Sequence, residues 1–299
     1  MDDTAVLRPM PGGDALLYTI DVITPIVDDA EAFGRIAATN ALSDVYAMGG
    51  RPQVALSFVG IPTEVVGEAV VAEVMRGMND ACLEAGAAIV GGHTMKDAEP
   101  KCGLAVIGTA REPWTQTRAE VGDVLVLSKP VGTGLVGQAI QKDLASDAQI
   151  AAAVKEMTRL NARASTLGLE QGVHAATDVT GFGLLGHLRH IVEASKVMVE
   201  LHASRVPFLP GAKDFAVQGV VPGGSRRNLT YAEVVTTFAD DIDEATRLVL
   251  ADAQTSGGLL MTLPADAGVA LKDALVADGH HAAIIGEVTA RCEGTIRVA

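Results

Sequence analysis

Four acidic residues occupy positions where the sequence predicts strand ends, glycine turns or the apolar face of a helix. Asp21 ends an aliphatic run, Asp178 precedes a glycine turn, Asp3 is near the start of the chain and Asp44 falls within a helical pattern. In α/β proteins, ligand sites form at the ends of strands. Because neighbouring carboxylates repel one another unless a cation lies among them, the set predicts a shared Mg²⁺ site. Taken singly, each acid also fits an ordinary turn or cap.

Asp44 is the most informative of these acids. Apolar residues recur from Phe33 to Met48 at the spacing of an α-helix, which places the Asp44 carboxylate and the Asn40 amide on the apolar stripe. A buried charge requires a partner. Either a neighbouring arginine or a helix N-terminus satisfies it, or the carboxylate is a metal ligand. The spacing is compatible with both interpretations.

Two segments match the dinucleotide-binding fingerprint, Gly132-x-Gly134-x-x-Gly137 and Gly181-x-Gly183-x-x-Gly186. Glycine makes up 32 of the 299 residues, so such matches arise easily by chance. Pro130 and the spacing of the following acids fit a Rossmann dehydrogenase poorly. The sequence contains no G-x-x-x-x-G-K-[ST] segment, which excludes a P-loop kinase.

Cysteine and histidine supply no candidate nucleophile within the sequence. Cys82 and Cys102 fall in apolar helix and strand patterns, so we expect them in the core. His187 lies at a predicted helix start and is expected to be a hydrogen-bonded packing residue, while His93 follows a glycine pair. Three cysteines without C-x-x-C spacing indicate neither a disulfide framework nor a zinc site.

The composition limits the possible partners. The chain carries 23 basic and 37 acidic residues, a net charge of −14, and 3% aromatic residues. This charge repels phosphate backbones and anionic membrane surfaces, so we expect neither nucleic acid nor membrane as a partner. The sequence has no apolar run near the roughly 18 residues of a membrane span and no secretion signal, so we expect a cytoplasmic protein.

The elements that position the acids follow from hydrophobic periodicity. Strands are predicted at 14–24, 53–59, 87–90, 102–108 and 123–128, and helices at 28–48, 65–85 and 146–167. Asp28 is the predicted N-cap of the first helix, and Gly91-Gly92-His93 is predicted to form a turn. The polar, proline-bearing segment 110–115 predicts a boundary between α/β domains at 1–112 and 113–299.

Segments spread over nearly the whole chain carry a family pattern. They are Asp2-Asp3-Thr4-Ala5-Val6, TPIVD at 24–28, FGRIAATNALSDVYAMGG at 33–50, GGHT at 91–94, Glu99-Pro100, GLAV at 103–106, TDVTGFGLLGHL at 177–188 and QTSGGLL at 254–260. In this order they resemble the selenophosphate synthetases, or selenide, water dikinases. Aminoimidazole ribonucleotide synthetase, thiamine-monophosphate kinase and the hydrogenase maturation dehydratase share the acids more loosely.

The resemblance implies an α/β (α+β) fold of two domains of the aminoimidazole ribonucleotide synthetase type, with the N-terminal sheets paired across a homodimer. It also implies ATP in a cleft, with Mg²⁺ bridging its phosphates to Asp3, Asp44 and Asp178. Asp21 and Asn40 are then expected to support nucleotide binding. The implied reaction converts ATP, selenide and water into selenophosphate, AMP and phosphate.

Two further implications concern the partner subunit and the nucleophile. Gly91-Gly92-His93 is expected to approach the nucleotide of the partner subunit. In the family, a glycine-rich stretch with a cysteine or selenocysteine and a lysine lies upstream of the Asp2-Asp3 segment. The resemblance therefore places the catalytic residues upstream of Met1, and the activity of the 299-residue form stays open.

Two other functions stay open at this point. One is a non-catalytic paralogue that binds nucleotide and dimerises. The other is a different ATP-dependent kinase or synthetase of the same superfamily, which turns over without selenium.

Overall fold

The computed structural model describes residues 2–8, 13–62 and 64–299 and divides into two compact units. The N-terminal unit comprises Asp3–Pro113 and Met157–Ala162. The C-terminal unit comprises Trp114–Glu156 and Arg163–Ala299, together with Asp2. Within the described ranges, every helix is too short or too polar to cross a bilayer.

The N-terminal unit is built on a five-stranded mixed sheet. Its strands are β1 (Ala5–Leu7), β2 (Ala15–Ile23), β3 (Arg51–Ile61), β4 (Ala88–Lys96) and β5 (Lys101–Ala110). The order across the sheet is β1-β2-β5-β3-β4. β3 and β4 run parallel, whereas the other neighbouring pairs are antiparallel. The edge strand β4 is exposed over most of its length.

Two helices, α1 (Ala30–Ala47) and α2 (Glu68–Glu84), pack together over this sheet. α1 lies against β2 and β5. The two helices approach closely at two glycines. A Cβ atom at Gly34 would overlap the carbonyl of Val74, and one at Gly77 would overlap the carbonyl of Glu31. Glycine at both positions therefore sets the short distance between the helices.

β2 is buried on one face only. Ala15 and Leu17 are buried beneath the helices, while Tyr18, Ile20 and Val22 are exposed, Ile20 to 66%. The strand predicted at 14–24 is confirmed as Ala15–Ile23, but its aliphatic run, which is typical of a buried strand, is buried on one face only. Side chains alternate between the two faces of a strand, and here the helices cover one face.

Two further predictions in the N-terminal unit are wrong. α1 is capped by Asp29, whose carboxylate accepts a 2.7 Å hydrogen bond from the Ala32 amide, and Asp28 lies outside the helix. Gly91-Gly92-His93 is not a turn, because β4 continues through it, paired with β3. Gly92 is required there for close approach, since a Cβ atom would overlap the carbonyl of Ser57.

The C-terminal unit is built on a seven-stranded mixed sheet. Its strands are β6 (Asp123–Leu127), β7 (Ala175–Asp178), β8 (Val197–Leu201), β9 (Thr236–Phe238), β10 (Leu259–Pro264), β11 (Ala283–Arg291) and β12 (Thr295–Val298). The order is β7-β10-β6-β11-β8-β12-β9. β12 runs parallel to β8 and β9, and the other pairs are antiparallel.

Eight α-helices are described in and around this sheet. They are α3 (Thr133–Ile140), α4 (Asp147–Met157), α5 (Ala162–Gln171), α6 (Gly183–Ser195), α7 (Ala212–Val217), α8 (Gly223–Ala232), α9 (Glu244–Leu250) and α10 (Ala265–Ala277). The prediction of a single helix at 146–167 is wrong, because the helix is interrupted between α4 and α5. Gly168 lies inside α5, and the residue that ends it is Gly172, at φ +72°.

Candidate functional site

Two side-chain hydrogen bonds join α1 to β2 in the N-terminal unit. Thr19 Oγ1 donates to Asp44 Oδ2, and Asn40 Nδ2 donates to Asp21 Oδ2 at 2.9 Å. Residues four apart on a helix rise about 6 Å, and residues two apart on a strand rise about 6.8 Å. The two hydrogen-bonded pairs therefore lie next to each other between α1 and β2, which run antiparallel. We call the Thr19–Asp44 and Asn40–Asp21 pairs the α1–β2 rungs.

Burial differs between the two rungs. Asn40 is buried, whereas Asp21 and Asp44 are partly exposed. The predicted face of α1 is therefore buried at Asn40 but partly exposed to solvent at Asp44. Thr19 is a neutral donor, so it orients the Asp44 carboxylate without cancelling its charge. A carboxylate that is oriented, charged and partly exposed is suited to bind a cation.

Asp3 belongs to the same unit and lies just before β1. Ala5 pairs with Tyr18 in the antiparallel β1–β2 ladder. This register brings the chain that precedes β1 alongside the end of β2 that carries Asp21. Asp3 therefore belongs to the same unit as Asp21 and Asp44, which are far from it in the sequence.

The carboxylate oxygens of these acids suit Mg²⁺, which prefers oxygen ligands. In the described parts of the chain, no group of three or more His, Cys, Asp or Glu side chains is arranged to hold a metal ion by itself. Mg²⁺ bound together with a nucleotide needs only one or two protein carboxylates, because phosphate oxygens and water complete its shell. Asp44 and its neighbours fit a Mg²⁺ ion that arrives with ATP.

In the C-terminal unit, Asp178 lies at the carboxyl end of β7 and is buried. It pairs with Leu259 of β10 in the sheet. The neighbouring Thr177 Oγ1 accepts a 3.3 Å hydrogen bond from the side-chain Nε2 of Gln116. The backbone amide of Gln116 donates to Asp2 Oδ1 at 3.2 Å. The start of the chain is thereby attached, within this unit, to the strand that carries Asp178.

Gly91, Gly92 and His93 lie in the exposed edge strand of the N-terminal sheet. His93 pairs with Phe58 of β3, and the side chain of His93 is exposed. Parallel partners in a ladder share a face, so His93 points to the sheet face opposite the helices.

The glycine segment at Gly132 is occupied by side chains of its own unit. The amides of Gly132 and Thr133 donate to Gln254 Oε1 at 2.9 and 3.1 Å, and the amide of Leu135 donates to Asp252 Oδ2 at 3.1 Å. Burial raises the pKa of Asp252 to about 7, against the opposing effect of its hydrogen bonds. Since this helix start is already capped by an acid and an amide, it does not offer its amides to a dinucleotide phosphate.

Cys82 and Cys102 are core residues, as predicted. Cys82 and Cys102 are fully buried, and burial raises the pKa of Cys82 to about 11 and that of Cys102 to about 12. Thiols with such pKa values stay protonated and unreactive at neutral pH. Cys102 also lines an apolar cavity of about 200 Å³ in the N-terminal unit, together with Pro25, Phe33 and Val74.

The structure draws attention to two polar residues that sequence reasoning does not single out. Thr19 is the donor to Asp44, and the period-two alternation of β2 puts it on the same face as Asp21, which is a usable signal. Lys129 is buried just beyond the carboxyl end of β6, and its Nζ donates to the carbonyl of Ser256 at 2.9 Å. The signal in the sequence that could have pointed to Lys129 is its place just after an aliphatic strand.

Comparison with protein families and solved structures agrees with this architecture. The model of the AIR synthase related protein N-terminal domain matches residues 1–110, and that of the C-terminal domain matches residues 120–299. Thiamine monophosphate kinase from Aquifex aeolicus superposes with a TM-score of 0.72 at 19% identity, covering 99% of this chain and 90% of that one. E. coli HypE, a hydrogenase maturation protein, superposes with a TM-score of 0.71 at 22% identity, covering 96% and 84%.

The two mixed sheets and both matched domains define the chain as an AIR synthase related protein, and the expected two-domain fold is confirmed. Selenide, water dikinase from Myxococcus xanthus is 44% identical over 97% of this chain and 83% of the relative. The enzyme of the same name from Burkholderia ambifaria is 42% identical over 96% and 82%. Within the larger fold family, the chain belongs to the selenide, water dikinase family, which confirms the resemblance found in the sequence.

Proposed function

We propose that this chain makes selenophosphate from selenide, ATP and water and releases AMP and phosphate. The observation that carries this proposal is 44% identity to a selenide, water dikinase over 97% of the chain, spanning both domains. The solved structures below 25% identity support only the fold. The oriented acids of the α1–β2 rungs are consistent with a phosphoryl-transfer site.

The proposed roles of the site residues follow from their chemistry. Asp21 and Asn40 support the nucleotide as one hydrogen-bonded unit. Asp3 and Asp44 from the N-terminal unit, and Asp178 from the C-terminal unit, supply carboxylates to Mg²⁺. When bound, Mg²⁺ neutralises charge on the phosphoryl groups and holds them in line. The protein contributes rigid placement of these oxygen atoms, because hydrogen bonds limit the rotation of Asp21 and Asp44.

We further propose that the protein is a homodimer that forms through the bare face of the N-terminal sheet. Tyr18, Ile20 and Leu56 are exposed on that face. Exposed apolar side chains on a sheet favour burial against a partner. A two-fold dimer uses the same patch on both protomers. Gly91-Gly92-His93 of one protomer then contacts the nucleotide bound by its partner.

Calorimetric titration of ATP with Mg²⁺ tests the site. We expect Asp44→Ala and Asp178→Ala to lose Mg²⁺-dependent ATP binding, because each removes a charged oxygen ligand. Asp80→Ala is the matched control, since Asp80 is an exposed acid on α2, and it should bind as the parent does. If both site variants bind as tightly as the parent, the metal assignment is wrong.

Measurement of AMP release tests the reaction. Selenide-dependent release of AMP from ATP is expected. Turnover of ATP without any selenium requirement points instead to another kinase or synthetase activity of the superfamily. Nucleotide binding without AMP release under any condition points to a non-catalytic paralogue.

A further inference from the structure

The turn at residues 178–183, the Asp178 turn, is held by hydrogen bonds at three consecutive residues. The amide of Val179 donates to the carbonyl of Gly258 at 2.9 Å, and the carbonyl of Thr180 accepts from the amide of Gln254 at 2.9 Å. The carbonyl of the next residue, Gly181, accepts from the Asn228 side chain at 2.8 Å. The backbone that follows Asp178 is therefore constrained from two sides.

His187, in the second turn of α6, holds the remaining polar groups of Thr180. Its Nε2 lies 3.1 Å from the Thr180 amide nitrogen and 3.2 Å from Thr180 Oγ1. Because a backbone N–H only donates, Nε2 must be the unprotonated, accepting nitrogen, and the ring proton lies on Nδ1. The imidazole is thus neutral. Burial, with a smaller effect of the nearby His190, lowers the pKa of His187 to about 3.

Packing alone does not account for a histidine at this position. His187 is 6% exposed and lies against the ring of Phe182, with ring centroids 5.9 Å apart. Within residues 2–8, 13–62 and 64–299, its Nδ1 has no hydrogen-bond partner. A buried donor without a partner destabilises the folded state. An aliphatic side chain fills such a space without that cost, so the accepting Nε2 is the property that a histidine adds.

We propose that His187 is a positioning residue for the reaction: its Nε2 lone pair holds Thr180 and thereby fixes the place of the Asp178 carboxylate. That Asp178 binds Mg²⁺ rests on the proposed function. That His187 holds the turn rests on the hydrogen-bond geometry. His187 acts through Thr180, so its loss affects the arrangement of the metal ligand before any chemical step.

Two substitutions separate the acceptor from the packing. In His187→Gln, the side-chain carbonyl replaces Nε2 as acceptor. In His187→Leu, an apolar side chain fills the space and the acceptor is removed. His190→Gln is the control, because His190 lies on the same helix and also packs on Phe182, with ring centroids 5.4 Å apart, but bonds Tyr231 (3.3 Å) and not Thr180. The readouts on the full chain are Mg²⁺-dependent ATP affinity by calorimetry and hydrogen exchange of the Thr180 amide without ligand.

We expect His187→Leu to weaken Mg²⁺-dependent ATP binding about tenfold and to speed exchange at Thr180, the size of effect that one lost buried hydrogen bond produces. His187→Gln and the control should stay within about twofold of the parent. Equal Thr180 exchange in the parent and His187→Leu overturns the positioning role by itself. Equal losses in the Leu and Gln variants also overturn it, because the acceptor is then irrelevant. A parent chain that binds no Mg²⁺–ATP overturns the proposed function instead, and the exchange data show which of the two has failed.

Discussion

The side-chain amide of Asn40 donates a 2.9 Å hydrogen bond to the carboxylate of Asp21, between α1 and β2. One rung along, Thr19 makes the equivalent bond to Asp44. Both donors are neutral, so they orient the two carboxylates and leave their negative charge in place. This arrangement fixes the orientation of the two carboxylates, which is the property that the proposed site requires.

Replacing Asn40 tests the first rung. Asn40→Ala removes the hydrogen bond from this side chain to Asp21 and so weakens the constraint on that carboxylate. A hydrogen bond to a charged group contributes about 1.5–3 kcal/mol, so we expect ATP affinity to fall by about tenfold or more. Calorimetric titration with ATP and Mg²⁺ measures the change. An affinity within twofold of the parent shows that this rung does not serve the nucleotide.

A charge on the bare sheet face tests the dimer. Ile20→Glu places a carboxylate at the exposed position of β2, and burying two such charges against each other at a two-fold interface is unfavourable. Light scattering coupled to gel filtration should show a dimer for the parent and a monomer for this variant. Val217→Glu is the control, because Val217 is equally exposed in the C-terminal unit and should leave the dimer intact. A monomeric parent contradicts the proposal.

The close approach of α1 and α2 predicts that alanine in place of glycine at this contact lowers stability, although helix propensity alone predicts that it raises stability. Alanine is favoured over glycine by about 1 kcal/mol within a helix. Gly77→Ala should nevertheless destabilise the protein by about 1–3 kcal/mol, because its Cβ overlaps the carbonyl of Glu31. Urea unfolding measures the difference. Gly224→Ala in α8 is the control, since the nearest atom to its Cβ lies 4.0 Å away, and it should be neutral or stabilising.

The buried imidazole of His187 predicts loss of stability in acid. Its pKa is about 3 in the folded state and 6.5 in the unfolded state. Below pH 6.5 the unfolded chain therefore binds a proton that the folded chain does not bind, and stability falls as the pH decreases from 6.5 towards 3. The slope is about 1.4 kcal/mol per pH unit for one group.

Urea unfolding at pH 7 and pH 4.5 checks this expectation. Between these values the parent should lose about 2–3 kcal/mol more than His187→Gln, which cannot titrate at this position. All other groups are common to both proteins, so the difference isolates His187. Identical losses in the two proteins show that His187 is not buried as a neutral imidazole.

Local patterns in the sequence predict those parts of the site that depend on one element at a time. The 3.6-residue period of α1 is enough to put Asn40 and Asp44 on one face of the helix. The period of two in β2 likewise puts Thr19 beside Asp21, although a threonine attracts attention only once its partner is seen. The N-cap of α1 does not follow from the sequence alone, because Asp28 and Asp29 are adjacent and both residue types are suitable caps. In the structure Asp29 is the cap.

Non-local pairing decides what these patterns leave open. Gly91-Gly92-His93 contains turn-forming residues, yet the ladder with β3 keeps it extended. Whether Asp21 faces a helix or solvent depends on which face of the sheet α1 covers, and no window of sequence contains that information. The amides of the Gly132 segment are likewise taken by Gln254 and Asp252, more than a hundred residues away.

The sequence by itself determined the family and the two α/β domains and supplied the candidate residues of the site, because composition, periodicity and motif order are properties of the chain alone. Tertiary structure decided which donor orients which acid and which sheet face is left bare. The same structure decided which nitrogen of His187 accepts a hydrogen bond. These depend on contacts between residues distant in the chain, and their energies arise only when folding removes the groups from water.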